Sequence, residues 1–175
     1  MVAKRSLILA GGGLKVAYQA GVLQVWLDEA GLTFDHADAC SGGTFNLAMY
    51  CQGMSGTQIA DNWRAFPVLR SISVNWLQAL RLYWSASLLT YKKFRSQVLG
   101  GKWKLDWEAI RANEKRPGTF NTYNFSKNVL EVIESAQMDE DKLIACVSLP
   151  MWFPPVQIGQ DYYIDGVYLT DANVL

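Results

Sequence analysis

The chain has 175 residues, of which 50% are apolar and 18% charged, so one domain with a substantial core is expected over 1–175. Sixteen Lys and Arg balance sixteen Asp and Glu, and the pI of about 6.6 gives no general attraction to nucleic acid. Cys40, Cys51 and Cys146 are odd in number and lack C-x-x-C spacing, which argues against a disulfide framework or a zinc site and fits a reducing, cytoplasmic compartment.

The opening Met1–Ala10 mimics a signal peptide, but its apolar run falls short of the roughly 7–15 residues such a segment needs. No stretch of about 18 apolar residues occurs, so no transmembrane helix is read. The first predicted strand is 6–10, Ser6-Leu7-Ile8-Leu9-Ala10. The triple glycine Gly11-Gly12-Gly13 follows, and then a helix over 15–30 with apolar residues at 18, 22, 23, 25, 26 and 27. A second strand, 36–40, leads into Cys40-Ser41-Gly42-Gly43 and a helix over 43–53; Ser55-Gly56-Thr57 caps another at about 57–65. This alternation predicts a parallel α/β core.

The segment 67–118 differs in kind and is read as an aromatic-rich helical insertion or cap, with a loop at Gly100-Gly101. It carries Trp76, Tyr83, Trp84, Tyr91, Phe94, Trp103 and Trp107, with Arg81, Lys92, Lys93 and Arg95 interleaved. Such a mixture suits peripheral contact with a membrane, and the reading favoured over it is a cap packed under the core. Beyond it, Thr119–Ser126 and Asn128–Ile133 read as paired strands. Asp139 caps a helix running to about Ser148, which Pro150 ends. Phe153-Pro154-Pro155 is extended, and Gln157–Ile164 is a hairpin turning at Gly159-Gln160.

Three motifs carry chemistry. Ser41 lies at a strand-to-helix turn among the small residues Ala39, Gly42 and Gly43, which allow a sharp elbow and an uncrowded Oγ. Alone, this is also the pattern of an ordinary turn or N-cap. The run Gly11-Gly12-Gly13-Leu14-Lys15 exposes backbone N–H groups at a helix N-terminus, suited to a phosphate or an oxyanion. Nucleotide readings fail on the residues: a dinucleotide fingerprint needs glycine where Val16 stands, and no Gly-Lys-Ser/Thr triplet occurs. Asp165-Gly166 ends the aromatic strand Asp161-Tyr162-Tyr163-Ile164, which places a carboxylate at a strand terminus or, more simply, makes a turn.

In this order and spacing the motifs resemble the patatin-like phospholipase family. The matching residues are GGGLK with Ala17-Tyr18-Gln19-Ala20-Gly21, then Cys40-Ser41-Gly42-Gly43 with Asn46, then Phe153-Pro154-Pro155-Val156 and Asp165-Gly166. The resemblance implies a three-layer α/β/α sandwich with a mainly parallel central sheet. It also implies hydrolysis of lipid or phospholipid acyl esters by a Ser-Asp dyad, with no cofactor and no metal. By position, Ser41 would be the nucleophile and Asp165 the base. Gly11, Gly12 and Gly13 would form the oxyanion hole, supported by Lys15, Gly43 and Gly166. Val16, Ala39 and Val167 depart from the family pattern. Val16 is strained if its φ is positive and unstrained if it begins the helix. Family members often continue past this aspartate, so a C-terminal truncation is one expectation. A catalytically weak or inactive lipid-binding module is the alternative function.

The single histidine, His36, stands five residues before Ser41, where it would have to leave the strand and return to act in a triad. It reads as a loop or strand-start residue without a catalytic role, which leaves a carboxylate as the direct base.

Overall fold

The computed structural model describes residues 4–67, 73–74 and 89–168. Strand β1 (Ser6–Leu9) buries Leu7 and Leu9 and turns Ser6 and Ile8 outward, the alternation of a strand covered on one face. A 3-10 turn (Gly13–Val16) runs directly into helix α1 (Ala17–Leu23), and the helix widens into π-type turns over Gln24–Glu29. The predicted helix over 15–30 is therefore one continuous run with three geometries. Strand β2 (His36–Ala39) buries only Ala37 and Ala39. Helix α2 (Gly43–Cys51) packs on it, and these small side chains let the helix come close.

Helix α3 (Gly56–Arg64) begins with a full capping box. The Gln58 backbone N–H donates to the Ser55 side chain, and the Ser55 N–H donates back to Gln58 Oε1. Two short strands, β3 (Ser73–Val74) and β4 (Leu89–Thr90), pair antiparallel. A single turn of helix, α4 (Lys92–Phe94), leads into a π-helical run over Arg95–Lys102. The predicted loop at Gly100-Gly101 is thus helical backbone. Val98, Leu99 and Trp103 are buried there, and their packing against the core overrides the weak helix propensity of the two glycines. Trp76, Tyr83, Trp84 and Arg81 lie outside the described residues. Trp103, from the same aromatic segment, is a core residue whose indole N–H donates to the Asn62 carbonyl at 3.0 Å.

Helix α5 (Trp107–Ala112), capped by Asp106, leads to the hairpin of β5 (Gly118–Asn124) and β6 (Val129–Glu134). Helix α6 (Glu140–Ala145) starts at Asp139, whose carboxylate accepts the Lys142 N–H at 2.9 Å, and ends short of Ser148 in successive turns. The closing hairpin joins β7 (Val156–Ile158) to β8 (Asp161–Asp165) through Gly159 at φ +63°.

Six strands form one sheet with helices on both sides. Its β1-β2-β5 half is parallel, as the early strand–helix alternation predicts. Strands β6, β7 and β8 join antiparallel, so the sheet as a whole is mixed. The physical reason is connection length: tight hairpins can join only antiparallel neighbours.

One consequence positions the site. Strand β6 occupies one edge of β5 from Thr119 to Asn124. The other edge is shared, with β2 parallel along Gly118–Phe120 and β8 antiparallel along Thr122–Asn124. The C-terminal ends of β2 and β8 therefore meet head to head beside Asn121. Whatever follows Ala39 is brought against whatever ends β8.

Candidate active site

Ser41 follows β2 after one residue and adopts φ +49°, a left-handed conformation that costs a non-glycine residue about 1–3 kcal/mol. Its surroundings hold it there. The Thr44 N–H and hydroxyl both donate to the Ser41 carbonyl, at 3.0 and 2.6 Å, and the Gly43 N–H donates to the Cys40 carbonyl at 3.0 Å. Gly43 has no room for a side chain, since a Cβ there would fall 2.1 Å from the Leu9 carbonyl oxygen. The start of α2 thus rests directly on the end of β1.

Asp165 is fully buried and Ser41 is 5% exposed. The Ser41 hydroxyl donates to Asp165 Oδ2 at 2.6 Å across 124 residues of sequence. The other oxygen, Oδ1, accepts the Val167 N–H at 2.9 Å, which fixes the plane of the carboxylate. The Asp165 N–H is in turn held by the Ser148 carbonyl at 3.0 Å. Burial pushes the carboxyl pKa up to about 6, against the lowering effect of its hydrogen bonds from Ser41 and Val167. Such a group is ionised near neutral pH yet basic enough to take a proton from an adjacent hydroxyl. Gly166 sits beside Asn121, where a Cβ would come within 2.9 Å of the Asn121 Cβ.

The glycine loop lies against the same serine. A Cβ on Gly11 would stand 3.0 Å from Ser41 Cβ and 3.7 Å from Oγ, and one on Gly42 would stand 2.7 Å from the Gly13 carbonyl oxygen. The backbone N–H groups of Gly11, Gly12, Gly13 and Gly42 donate to no acceptor among the described residues. A polar network ties this loop to α2. Gln19 Nε2 donates to the Ala10 carbonyl at 2.7 Å, and Asn46 Nδ2 donates to the Val16 carbonyl at 2.9 Å and to Gln19 Oε1 at 3.1 Å. Val16 is buried with φ −64°, so it belongs to helical backbone and is unstrained. Lys15 is exposed and does not line the cavity described next.

A cavity of about 150 Å³ opens at Ser41. Gly13, Leu14 and Gly42 flank the serine, and Phe45, Trp63, Phe66, Phe94, Tyr91 and Phe153 form most of the remaining wall. These rings pack mainly edge-on or tilted, with Phe45 at 5.1 Å from Phe94 and Phe66 at 5.6 Å from Trp63, centroid to centroid. Tyr91 stacks on Phe153 at 3.9 Å, and its hydroxyl donates to the Val147 carbonyl at 2.5 Å. Burial raises the Tyr91 pKa well above the ordinary phenol range, so it stays neutral.

The expected residues divide in two. Ser41, Asp165 and Gly11 meet at one point, with Gly13 and Gly42 on the cavity wall. Gly43 and Gly166 serve as close-approach positions, and Lys15 stays in solvent. His36 lies at the opposite end of β2 from Ser41, with its Nε2 at 3.0 Å from Asp38 Oδ1. The sequence reading missed the Val167 N–H on Asp165 and the aromatic wall. Phe45 carried a local signal, since it lies one helical turn beyond Ser41. The other wall residues come from separate elements. Among the described residues no cluster of three His, Cys, Asp or Glu side chains could hold a metal ion, and no helix is long and apolar enough to cross a membrane.

The family model for patatin-like phospholipase matches residues 7–175. No curated protein sequence matches the chain. Among solved structures, VipD from Legionella pneumophila is similar with a TM-score of 0.63 at 15% identity, covering 97% of this chain and 46% of that one. At that identity the likeness is one of fold, and this chain spans less than half the length of that protein.

Proposed function

Given that the chain belongs to the patatin-like phospholipase family, we propose that it hydrolyses lipid acyl esters, with Ser41 as nucleophile and Asp165 as its base. The observation that carries this reading is the 2.6 Å hydrogen bond between two buried groups, Ser41 Oγ and Asp165 Oδ2, at the head of an apolar cavity.

The chemistry follows from that contact. As Ser41 Oγ attacks the ester carbonyl carbon, its proton passes to Asp165 Oδ2. The negative charge that develops on the carbonyl oxygen needs donors that do not have to reorganise, for which the unspent N–H groups of Gly11, Gly12, Gly13 and Gly42 are the candidates. The proton on Asp165 then goes to the departing alcohol oxygen. Water repeats the sequence in reverse on the acyl-serine, with Asp165 again taking the proton. A raised carboxyl pKa suits this role, because proton transfer is most effective when the base titrates close to the working pH.

The segment 67–118 would then serve as a cap whose described part supplies Tyr91 and Phe94 to the cavity, with any membrane contact falling to its remaining aromatic and basic residues. The alternative of an inactive lipid-binding module rests on the departure at Val16 and on the expectation of a C-terminal truncation; helical φ at Val16 removes the first ground and does not touch the second.

Labelling with a fluorophosphonate probe and mapping the labelled peptide tests the assignment. The label should sit on Ser41, and Ser41→Ala should lose both label and turnover of p-nitrophenyl butyrate while keeping the wild-type circular dichroism. A label on another serine, or turnover retained by folded Ser41→Ala, would refute it.

A further inference from the structure

The cavity at Ser41 has two properties that bear on which half of an ester it can hold and how long that half can be. No charged side chain lies among the described residues lining it; the only polar side chains are Ser41, Thr90, Tyr91 and Trp63. The Tyr91 hydroxyl is committed to the Val147 carbonyl, and the Trp63 indole N–H to Asn46 Oδ1 at 2.6 Å. A charged head group buried here would meet no counter-charge among the described lining residues, and the loss of its hydration would go uncompensated there. The described lining therefore suits the acyl half of an ester, with Leu14, 49% exposed, on its solvent side.

The second property is size. An apolar protein cavity of about 150 Å³ is filled by a six-carbon ring, and pockets for larger ligands run to roughly 300–1,000 Å³. This cavity measures about 150 Å³. Its walls are not readily displaced. Phe94 packs against Phe45, Phe66, Tyr91 and Trp103, and Trp63 is held through its indole N–H as well as by its neighbours. Close-packed aromatic walls do not expand cheaply.

We infer that the cavity is the acyl pocket and that it selects short- to medium-chain acyl groups, of about six carbons, over long fatty acyl chains. Residues of the cavity other than Ser41 then act in specificity, and Phe66 is the ring best placed to change it. It is half-buried and lies at the end of α3, so trimming it removes wall without emptying the core. This inference rests on Ser41 being the acylated residue.

The test is kcat/KM across the p-nitrophenyl esters acetate, butyrate, hexanoate, octanoate, laurate and palmitate, each below its aggregation concentration. One methylene in an apolar pocket typically changes kcat/KM by about 10–200-fold. The profile should rise by at least about tenfold from acetate to hexanoate and fall by at least about tenfold from octanoate to palmitate. Phe66→Ala should move the optimum to longer chains and Phe66→Trp to shorter ones, with fluorophosphonate labelling of Ser41 certifying that each variant retains a formed site. If one variant fails to label, the other still reads the shift. A profile that climbs through to palmitate, or an optimum unmoved by a labelled Phe66 variant, overturns the inference while leaving Ser41 as nucleophile. Absence of labelling in the wild-type protein brings down the nucleophile assignment and this inference with it.

Discussion

Asn46 accepts the Trp63 indole N–H at 2.6 Å, and in doing so couples a wall of the cavity to the helix that follows Ser41. Its amide nitrogen donates at the same time to the Val16 carbonyl and to Gln19, so one buried side chain spans the glycine loop, α2 and α3. Replacing it with leucine leaves the buried Trp63 indole N–H without its acceptor and removes a second donor from the Val16 carbonyl, which keeps the first helical bond of α1. A buried donor left unpaired costs about 1–3 kcal/mol. Asn46→Leu should therefore lower unfolding free energy by roughly 1–3 kcal/mol in urea melts. It should also reduce ester turnover in the fraction that stays folded, because the loop is no longer pinned to Ser41. A variant within about 0.5 kcal/mol of wild type would show that the network carries no weight.

Asp165 should trade stability for chemistry. Its carboxyl pKa stands at about 6 when folded, against 3.8 for the free side chain, so the fold favours the protonated form. The contribution to stability is full at low pH and is lost as pH rises through about 6. Above that, the native state carries an ionised carboxylate that folding has stripped of water. A shift of about two units corresponds to roughly 3 kcal/mol as an upper figure. Asp165→Asn, neutral at every pH, should be more stable than wild type at about pH 7.5, by roughly 1–3 kcal/mol, and about equal to it near pH 4. Paired thermal melts at the two values measure this. A variant less stable than wild type at both would mean that lost hydrogen bonds outweigh the relief of the buried charge.

The same titration sets the rate profile. Only the ionised carboxylate can accept the Ser41 proton, so kcat/KM should fall about tenfold per pH unit below about 6 and level off above it. His36 is the one histidine in the sequence and is paired with Asp38 at the other end of β2. His36→Gln should leave the limb where it is. A limb that disappears in His36→Gln would transfer the base from Asp165 to the imidazole.

Much of the site can be read from the sequence, because its requirements are local. A left-handed serine between a strand and a helix needs small neighbours, and Ala39, Gly42 and Gly43 supply them. The glycine loop needs bare backbone beside Ser41, and GGG provides it. The pairing that brings Ser41 to Asp165 is not local. It depends on β2 and β8 sharing one edge of β5, which no stretch of residues encodes, and the antiparallel β8 on that edge joins the two hairpins in making the expected mainly parallel sheet a mixed one. At Gly100-Gly101 the local propensity points to a loop, and burial of the neighbouring Val98 and Leu99 makes it helical. The cavity was invisible for a similar reason: Phe45, Trp63, Phe66 and Phe94 are scattered along the chain and become a wall only in three dimensions.

Two glycines separate architecture from chemistry. A methyl on Gly43 would meet backbone, 2.1 Å from the Leu9 carbonyl oxygen and 2.8 Å from that of Ala10. Neither oxygen can move without shifting the end of β1, so Gly43→Ala should unfold the protein or cost more than about 4 kcal/mol, beyond the usual range for one substitution. A methyl on Gly11 instead meets the Ser41 Cβ at 3.0 Å, in backbone that is not left-handed. A few tenths of an ångström of relief would come from displacing Ser41 itself. Gly11→Ala should therefore keep its fold, with a melting temperature within about 4 °C of wild type. It should lose about a hundredfold or more in kcat/KM, because a small misplacement of a reacting atom is enough to do so. A large fall in rate with little change in the melt, in Gly11→Ala but not in Gly43→Ala, is what contact between the loop and the reacting serine predicts. Gly11→Ala retaining near-wild-type turnover would place the loop outside the chemistry and return Gly11 to a purely structural role.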